Sequence, residues 1–203
     1  FAQGEMAMFS AFFCWQLINW GYPFWIALPG TMLFSFAIGV AIERVILRPL
    51  HSAPVLSVVV VFIGILAIFH ALAGAIWTHT VKPFPSPFPN VSFAGSGIIG
   101  AHQIGMVIVA VLMLALLFSF FRFTPLGLAM RAAALNPGSA RLVGINVDWM
   151  LALGWGLAAS VGAVAGVLVA AVVYLEPNMM AGILLYGFAG ALVGGISSPG
   201  GAV

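Results

Sequence analysis

The chain has 203 residues, of which 64% are apolar and only 5% are charged, and its formal net charge is +2. Soluble domains carry roughly 25% charged residues, so this chain has too few to solvate the surface of a soluble fold. A net charge of +2 is also too small to provide the basic surface that nucleic-acid binding requires. The composition therefore predicts a protein whose main solvent is the lipid bilayer and gives no support for nucleic acid as a partner.

Apolar runs recur along the chain between short polar breaks, and a helix needs about 20 such residues to cross the hydrocarbon core. We predict six membrane segments, at 6–20, 24–42, 53–77, 98–121, 149–175 and 181–203. The first run is short, and the last ten residues of the final run are typical of a loop. The predicted fold class is an all-α polytopic transmembrane helical bundle, with 1–203 as a single transmembrane domain in a fragment truncated at both ends.

Basic residues mark one side of this bundle. The breaks at 43–52 and 122–148 are separated by two predicted spans, so they share a side of the membrane. They hold five of the six basic residues of the chain: Arg44, Arg48, Arg122, Arg131 and Arg141. Because cytoplasmic loops are enriched in Lys and Arg, that side is predicted to be the cytoplasm. The loop at 79–96, with Lys82 and four prolines, and the Glu176-Pro177 pair are then predicted to lie outside, the loop in extended form.

Small residues recur every four positions in the fifth run, as Gly154, Ala158, Gly162, Gly166 and Ala170. A stripe of this kind lets two helix backbones approach closely inside a membrane. The stripe is compatible with tight bundle packing alone or with a helix that lines a path for solute.

Catalytic signatures are missing from the sequence, so we expect no enzyme, no bound metal and no cofactor. The only lysine is Lys82, in a proline-rich loop, so the chain has no phosphate-binding loop for ATP. The four histidines have no metal-ligand spacing. His70 is the ionisable residue inside a predicted span, either as a neutral imidazole hydrogen-bonded to a neighbouring helix or as a functional group. Glu5 and Glu176 are predicted to lie at the membrane interfaces.

The polar stretch at 131–147 predicts two short helices. Thr124-Pro125 is a good N-cap and first-turn pair for a helix that runs to about residue 135. Asn136, which precedes a proline, ends this helix and caps a second one over 137–143, and Gly144 stops it. Asp148 is predicted to cap the next membrane helix. The product is a bent helix at the cytoplasmic surface with Arg131 and Arg141 available, either to dock a soluble partner or to orient an ordinary loop.

The residues of this stretch resemble the cytoplasmic loop of permeases from branched-chain amino acid ATP-binding-cassette (ABC) importers. The matching residues are Arg131, Ala132, Ala134, Asn136, Ala140, Arg141, Leu142, Gly144, Ile145, Asn146 and Val147. Further similarity lies in the E-R-V-I-L-R-P-L segment at 43–50, the T-P-L-G segment at 124–127, the F-A-Q-G-E segment at 1–5 and the glycine-rich segment at 194–202. Two positions, Gln3 and Ser197, depart from the family pattern.

The resemblance implies a multi-pass permease subunit in a bacterial inner membrane, paired with a second permease subunit. ATP would be bound by separate cytoplasmic ATPase subunits, and a periplasmic binding protein would deliver the solute. It also implies that the loop at 122–148 couples the permease to the ATPase, through Arg131, Ala132, Asn136, Pro137, Ala140, Arg141, Gly144 and Ile145. The alternatives are a secondary carrier or channel that is not ATP-coupled, and a membrane scaffold without transport. Branched-chain amino acids, urea and amides all remain open as the solute.

Overall fold

The computed structural model describes residues 2–50, 53–85 and 101–194, and these residues are almost entirely helical. The eight α-helices are α1 (Ala2–Asn19), α2 (Phe24–Ile42), α3 (Val55–Trp77), α4 (Ala101–Phe123), α5 (Pro125–Leu135), α6 (Pro137–Leu142), α7 (Val147–Val173) and α8 (Met179–Gly194). Within these ranges, the only extended pairing is an isolated antiparallel bridge between Lys82 and Leu175. The predicted all-α fold class is confirmed.

Each of the six predicted membrane segments contains a helix, but these helices differ in length and in apolar character. Four helical stretches of the described chain are long and apolar enough to cross a membrane: Phe24–Leu50, Leu56–Trp77, His102–Phe123 and Val147–Val173. Helix α8 has 16 residues, and α1 has 18, with Gln3, Glu5 and Gln16 among them. The predicted count of six is therefore met by four full-length apolar spans and two weaker helices. The glycine-rich segment at 195–202 lies outside the described residues.

The first arginine-containing break is a helical extension of α2. A π-helical segment at Glu43–Leu47 follows α2 directly and leads into a 3₁₀ turn at Arg48–Leu50. Pro49 has no backbone N–H, so it cannot continue the α-helical hydrogen-bond ladder. The three segments nevertheless follow one another without a gap, so the helical stretch from Phe24 to Leu50 has 27 residues and carries Arg44 and Arg48 beyond the end of the apolar run.

The chain divides into two compact units, and α2 and α7 each contribute to both. The first unit comprises Phe1–Thr31, Pro54–Phe84 and Gly162–Val203, and the second comprises Met32–Ala53 and Pro85–Val161. The single transmembrane domain stays a prediction.

Aromatic contacts between α1 and α3 form the core of the first unit. The Phe9 ring meets Phe69 and Trp77 edge to face, each with a centroid distance of 5.3 Å. Phe12 stacks on Trp77 at 5.3 Å. The Trp77 indole N–H donates a 3.0 Å hydrogen bond to Gln16 Oε1, so the one polar atom of this ring is satisfied although most of the ring is buried.

Two members of the small-residue stripe lie where α7 approaches α1 in the first unit. A Cβ atom added at Gly166 would collide with the Ala7 carbonyl oxygen, and one added at Gly162 would lie 2.7 Å from Gln3 Nε2. Both positions therefore require glycine because a neighbouring helix occupies the space of a side chain. This geometry agrees with the tight-packing interpretation of the stripe.

A second close approach, between α2 and α7 in the second unit, lies outside the predicted stripe. A Cβ at Gly39 would lie 2.6 Å from the Trp155 carbonyl oxygen, 2.9 Å from Ala159 Cβ and 3.0 Å from Gly156 Cα. Ser160 Oγ supports this crossing with a 3.1 Å hydrogen bond to the Met32 carbonyl oxygen.

The remaining stripe residues differ in their surroundings. A Cβ at Gly154 would be in ordinary contact with Met130 Cε at 3.6 Å, Ala158 is exposed and Ala170 is buried. The stripe as a whole stays a prediction, and the closest helix approaches along it are at Gly162 and Gly166.

Candidate functional site

The two arginine-containing segments meet at one end of the second unit. Arg48 Nη2 donates to Asp148 Oδ2 at 2.8 Å, and Arg141 Nη2 donates to Asp148 Oδ1 at 3.1 Å. The Arg44 guanidinium lies 4.2 Å from the centre of a Trp149 ring. This arrangement supports the prediction that the segments at 43–52 and 122–148 share a side of the membrane. His51 and Ser52 lie outside the described residues.

The segments that were predicted to lie outside also meet, at an end of the first unit. The Lys82 N–H donates to the Leu175 carbonyl at 3.0 Å, and the Leu175 N–H donates to the Lys82 carbonyl at 2.9 Å. The Lys82 ammonium lies 4.5 Å from the centre of a Trp15 ring. The residues around Lys82 and those before Glu176 are thus neighbours, as a shared side requires. The remainder of the proline-rich loop, at 86–96, lies outside the described residues.

Two side-chain caps define α5 and α6. Thr124 Oγ1 accepts a 3.0 Å hydrogen bond from the Gly127 N–H at the start of α5, and Asn136 Oδ1 accepts one of 3.0 Å from the Ser139 N–H at the start of α6. Such caps satisfy N–H groups that a helix leaves without an internal partner. Gly144 follows α6 with φ of 83°, a conformation that glycine adopts without steric cost. The predicted helices are confirmed, although α6 ends at Leu142 rather than at residue 143.

The predicted cap of α7 is wrong by two residues. Asn146 Oδ1 accepts a 3.1 Å hydrogen bond from the Trp149 N–H, so Asn146 is the capping side chain. Asp148 lies in the first turn of α7, where a carboxylate is favoured by the helix dipole, and it binds Arg48 and Arg141 instead. The two caps, Asn136 and Asn146, bracket α6 and the turn that follows it.

One face of the α6 loop is buried against its neighbours. Ala133, Ala140 and Val147 are at most 3% exposed and form a small core, with Ile145, Met150 and Leu151 packed against it. Ala140 and Ile145 therefore anchor the loop internally, and Ala132 is half-buried. Ala140, a residue of the predicted coupling loop, is thus buried by its own neighbours and shapes the loop from inside.

The opposite face exposes large apolar side chains that the prediction did not single out. Leu142 is 90% exposed and Val143 is 75% exposed; we call this pair the apolar tip. Pro137 and Gly144 are exposed beside it, and Arg141 is exposed although it is held by Asp148. The signal was present in the sequence, because Leu142 follows Ala140 by two positions and so points to the other side of a helix. Arg131 is exposed on α5 and borders a cavity lined by residues of α4, α5 and α7.

A buried carboxylate lies in the first unit. Glu5 is 7% exposed, and its Oε2 lies 3.5 Å from Nδ1 of His70 on α3. The His70 and His79 ring centroids are 6.0 Å apart. Glu5 was predicted to be a solvated carboxylate at an interface, but α1 packs it against α3 and buries it, so the solvation part of that prediction is wrong. His70 does meet a neighbouring helix as expected, but its partner is an acidic group. No cluster of three or more metal-ligating side chains occurs within 2–50, 53–85 and 101–194.

Four helical stretches of the described chain that are long and apolar enough to cross a membrane define a multi-pass helical membrane protein. The sequence profile of one family, described as "Branched-chain amino acid transport system / permease component", matches residues 1–203. The chain belongs to this family.

Curated relatives agree with this assignment. The chain is 30% identical over 197 residues to the high-affinity branched-chain amino acid transport system permease protein LivH of Salmonella typhimurium strain LT2, with 93% of this chain and 61% of that protein covered. The figures are the same for the LivH protein of Escherichia coli strain K12. For the probable branched-chain amino acid transport permease protein LivH of Methanocaldococcus jannaschii, identity is 26% over 213 residues, with 100% of this chain and 66% of that protein covered.

The chain thus spans about 61–66% of the length of these curated relatives. No solved structure matches it.

Proposed function

We propose that the chain is the larger part of a membrane-spanning ABC importer subunit that translocates branched-chain amino acids across a bacterial inner membrane. In this proposal a separate ATPase subunit binds ATP, a second permease subunit completes the pathway, and a periplasmic binding protein delivers the solute. Family membership supports the transport role, and the sequence offers no nucleotide-binding loop of its own.

The apolar tip is the observation that carries the proposed coupling to an ATPase. Leu142 and Val143 are 90% and 75% exposed on a loop whose other face is packed and whose ends are capped. Side chains of this size gain about 1.5–3 kcal/mol when they are fully buried. On a loop predicted to face water, burial of this pair by a protein partner would therefore be favourable.

The loop is also built to transmit a force. Asp148 binds Arg141 of α6 and Arg48 beyond α2, so one carboxylate connects the loop to two membrane helices. A partner that moves α6 would therefore move the ends of α2 and α7 with it. Pro137, Asn136 and Gly144 set the shape of this element, Ala132, Ala140 and Ile145 anchor it, and Arg141 connects it to Asp148.

The test is the association between the full-length permease subunit and its ATPase subunit. Leu142→Glu and Val143→Glu are each expected to weaken co-purification of the ATPase at least about tenfold, which corresponds to about 1.4 kcal/mol, and to abolish ATP-driven uptake. Val81→Glu is a matched control, because Val81 is 58% exposed beside the Lys82 bridge, in a loop that the sequence predicts to lie outside. This variant is expected to retain the ATPase. Normal co-purification of Val143→Glu would refute the docking role.

The alternative is a carrier driven by an ion gradient, and the buried Glu5–His70 pair favours it. Ionisable groups inside membrane helices often belong to proton relays. Such a carrier would continue uptake after ATP depletion if the proton gradient were maintained. If the chain belongs to an ABC importer, uptake stops under the same conditions. Solute uptake that continues after ATP depletion would refute the ABC proposal.

A further inference from the structure

An open cavity of about 310 Å³ lies between α4, α5 and α7 in the second unit. Its wall is almost entirely apolar and includes Phe121, Met130, Met150, Leu151 and Trp155. The volume is about ten times the ~30 Å³ that one water molecule occupies in the liquid. An apolar cavity of this size gives water few hydrogen-bonding partners, so an apolar chain is the better occupant.

Arg131 is the charged residue that borders this cavity. It differs from the other arginines of the same end of the unit, because Arg48 and Arg141 bind Asp148 and Arg44 lies over Trp149. In the part of the chain that the structure describes, no carboxylate forms an ion pair with Arg131. Its guanidinium is exposed and remains available to an anion.

The cavity lies at the ends of two helices that are long and apolar enough to cross a membrane. Phe121 is in the last turn of α4, which ends at Phe123, and Met150 and Leu151 are in the first turns of α7, which begins at Val147. The arginine-rich side is the one predicted to be cytoplasmic. An apolar wall next to a cation, at the end of membrane helices, suits an amphipathic anion. The anionic lipids of the cytoplasmic leaflet are molecules of this kind.

We propose that this cavity binds an anionic phospholipid of the cytoplasmic leaflet, with an acyl chain along the apolar wall and the phosphate on the Arg131 guanidinium. Arginine suits this role because its planar fork of donors matches phosphate oxygens. A soluble anion would leave the apolar wall uncovered, and a zwitterionic lipid has no net negative charge to neutralise Arg131. The proposal is independent of any coupling to an ATPase.

The experiment uses the full-length permease subunit, purified in detergent, stripped of lipid and mixed with phosphatidylglycerol or phosphatidylcholine. Native mass spectrometry then counts the retained lipid molecules. The unmodified protein is expected to retain phosphatidylglycerol preferentially. Arg131→Gln is expected to reduce that preference at least about fivefold, because it removes the cation from an exposed position without disturbing the wall.

Two further variants separate charge from shape. Arg122→Gln is the matched control: it makes the same charge change on the same side, but Arg122 is absent from the cavity lining and its guanidinium lies 5.9 Å from the centre of the Phe118 ring. It is expected to retain phosphatidylglycerol normally. Ala134→Phe adds a ring at an exposed lining position, so it is expected to reduce retention of the lipid while Arg131 is kept.

Three results would overturn the proposal. The first is equal retention of the two lipids by the unmodified protein. The second is an Arg131→Gln variant that binds phosphatidylglycerol as well as Arg122→Gln does. The third is competition by glycerol 3-phosphate at concentrations similar to those of the lipid, which would identify a site for a soluble phosphate. Because Arg131→Gln changes an exposed side chain, its result decides the question even if Ala134→Phe fails to fold.

Discussion

Gly39 and Gly64 offer a matched pair of substitutions that measures the crossing of α2 and α7. Both glycines lie in the interior of membrane helices, so replacement by alanine gives each helix the same gain in propensity, about 1 kcal/mol. Nothing lies within 4 Å of a Cβ added at Gly64. At Gly39 the added atom would meet the Trp155 carbonyl oxygen at 2.6 Å and Gly156 Cα at 3.0 Å. The gain in helix propensity is therefore the same in the two variants, and the difference between their stabilities measures the steric clash at Gly39.

The size of the clash follows from these distances. Carbon atoms in favourable contact lie about 3.5–4.0 Å apart, so α2 and α7 must separate by roughly 0.5–1 Å near Gly39. The obstructing atoms belong to the backbone, so no side chain can rotate away. Overpacking of this kind costs about 1–3 kcal/mol. We expect Gly39→Ala to be less stable than Gly64→Ala by that amount.

Thermal unfolding of the full-length protein in detergent, followed by tryptophan fluorescence, measures the difference. We expect Gly64→Ala to have an unfolding temperature equal to or slightly above that of the unmodified protein, and Gly39→Ala to unfold several degrees lower. The two variants are compared in the same detergent and at the same protein concentration. Equal unfolding temperatures would show that the backbones of α2 and α7 are not in close contact at Gly39.

Two other predictions concern the cap of α6 and the buried pair of the first unit. Asn136→Ala removes the acceptor of the Ser139 N–H, which costs about 1 kcal/mol. Amide hydrogen exchange within 137–142 should therefore be about fivefold faster than in the unmodified protein. Unchanged exchange would mean that α6 does not depend on its cap. His70→Ala leaves the Glu5 carboxylate buried without its neighbour, whereas Glu5→Gln removes the charge and nearly keeps the shape. Since an unpaired buried charge costs more than a missing one, His70→Ala should lower the unfolding temperature further, and the reverse order would contradict the pairing.

The features that sequence predicted best are set by a few neighbouring residues. Thr124-Pro125 and Asn136-Pro137 place a cap and a proline at adjacent positions, and both helices begin where these pairs predict. Gly144 ends α6 for the same local reason, because it adopts a φ of 83°. That Arg44 and Arg141 lie on the same side was also predictable, because two predicted spans separate them and an even number of spans returns the chain to the same side.

The features that sequence missed depend on a partner helix. Glu5 lies in a polar segment and was predicted to be solvated, but its burial is decided by α3, which brings His70 to within 3.5 Å. Gly39 follows Thr31 and Ser35 at intervals of four residues in α2, so a small-residue pattern was present in the sequence, but only the position of α7 shows why this position is glycine. Asn146 and Asp148 are both good caps, so local chemistry favoured neither. Asp148 binds Arg141, 7 positions away, and Arg48, 100 positions away. These contacts explain why it forms ion pairs and does not cap α7.

The shared carboxylate of Asp148 gives this end of the second unit a three-way junction between α6, α7 and the extension of α2. Asn136 and Asn146 cap the two ends of the α6 segment, so the shape of this segment is set locally. If a partner displaces α6, as proposed above, the junction at Asp148 is the route by which that displacement would reach α7 and, through Arg48, the extension of α2. Those two helices approach closely at Gly39, so in that proposal they would move together within the bilayer.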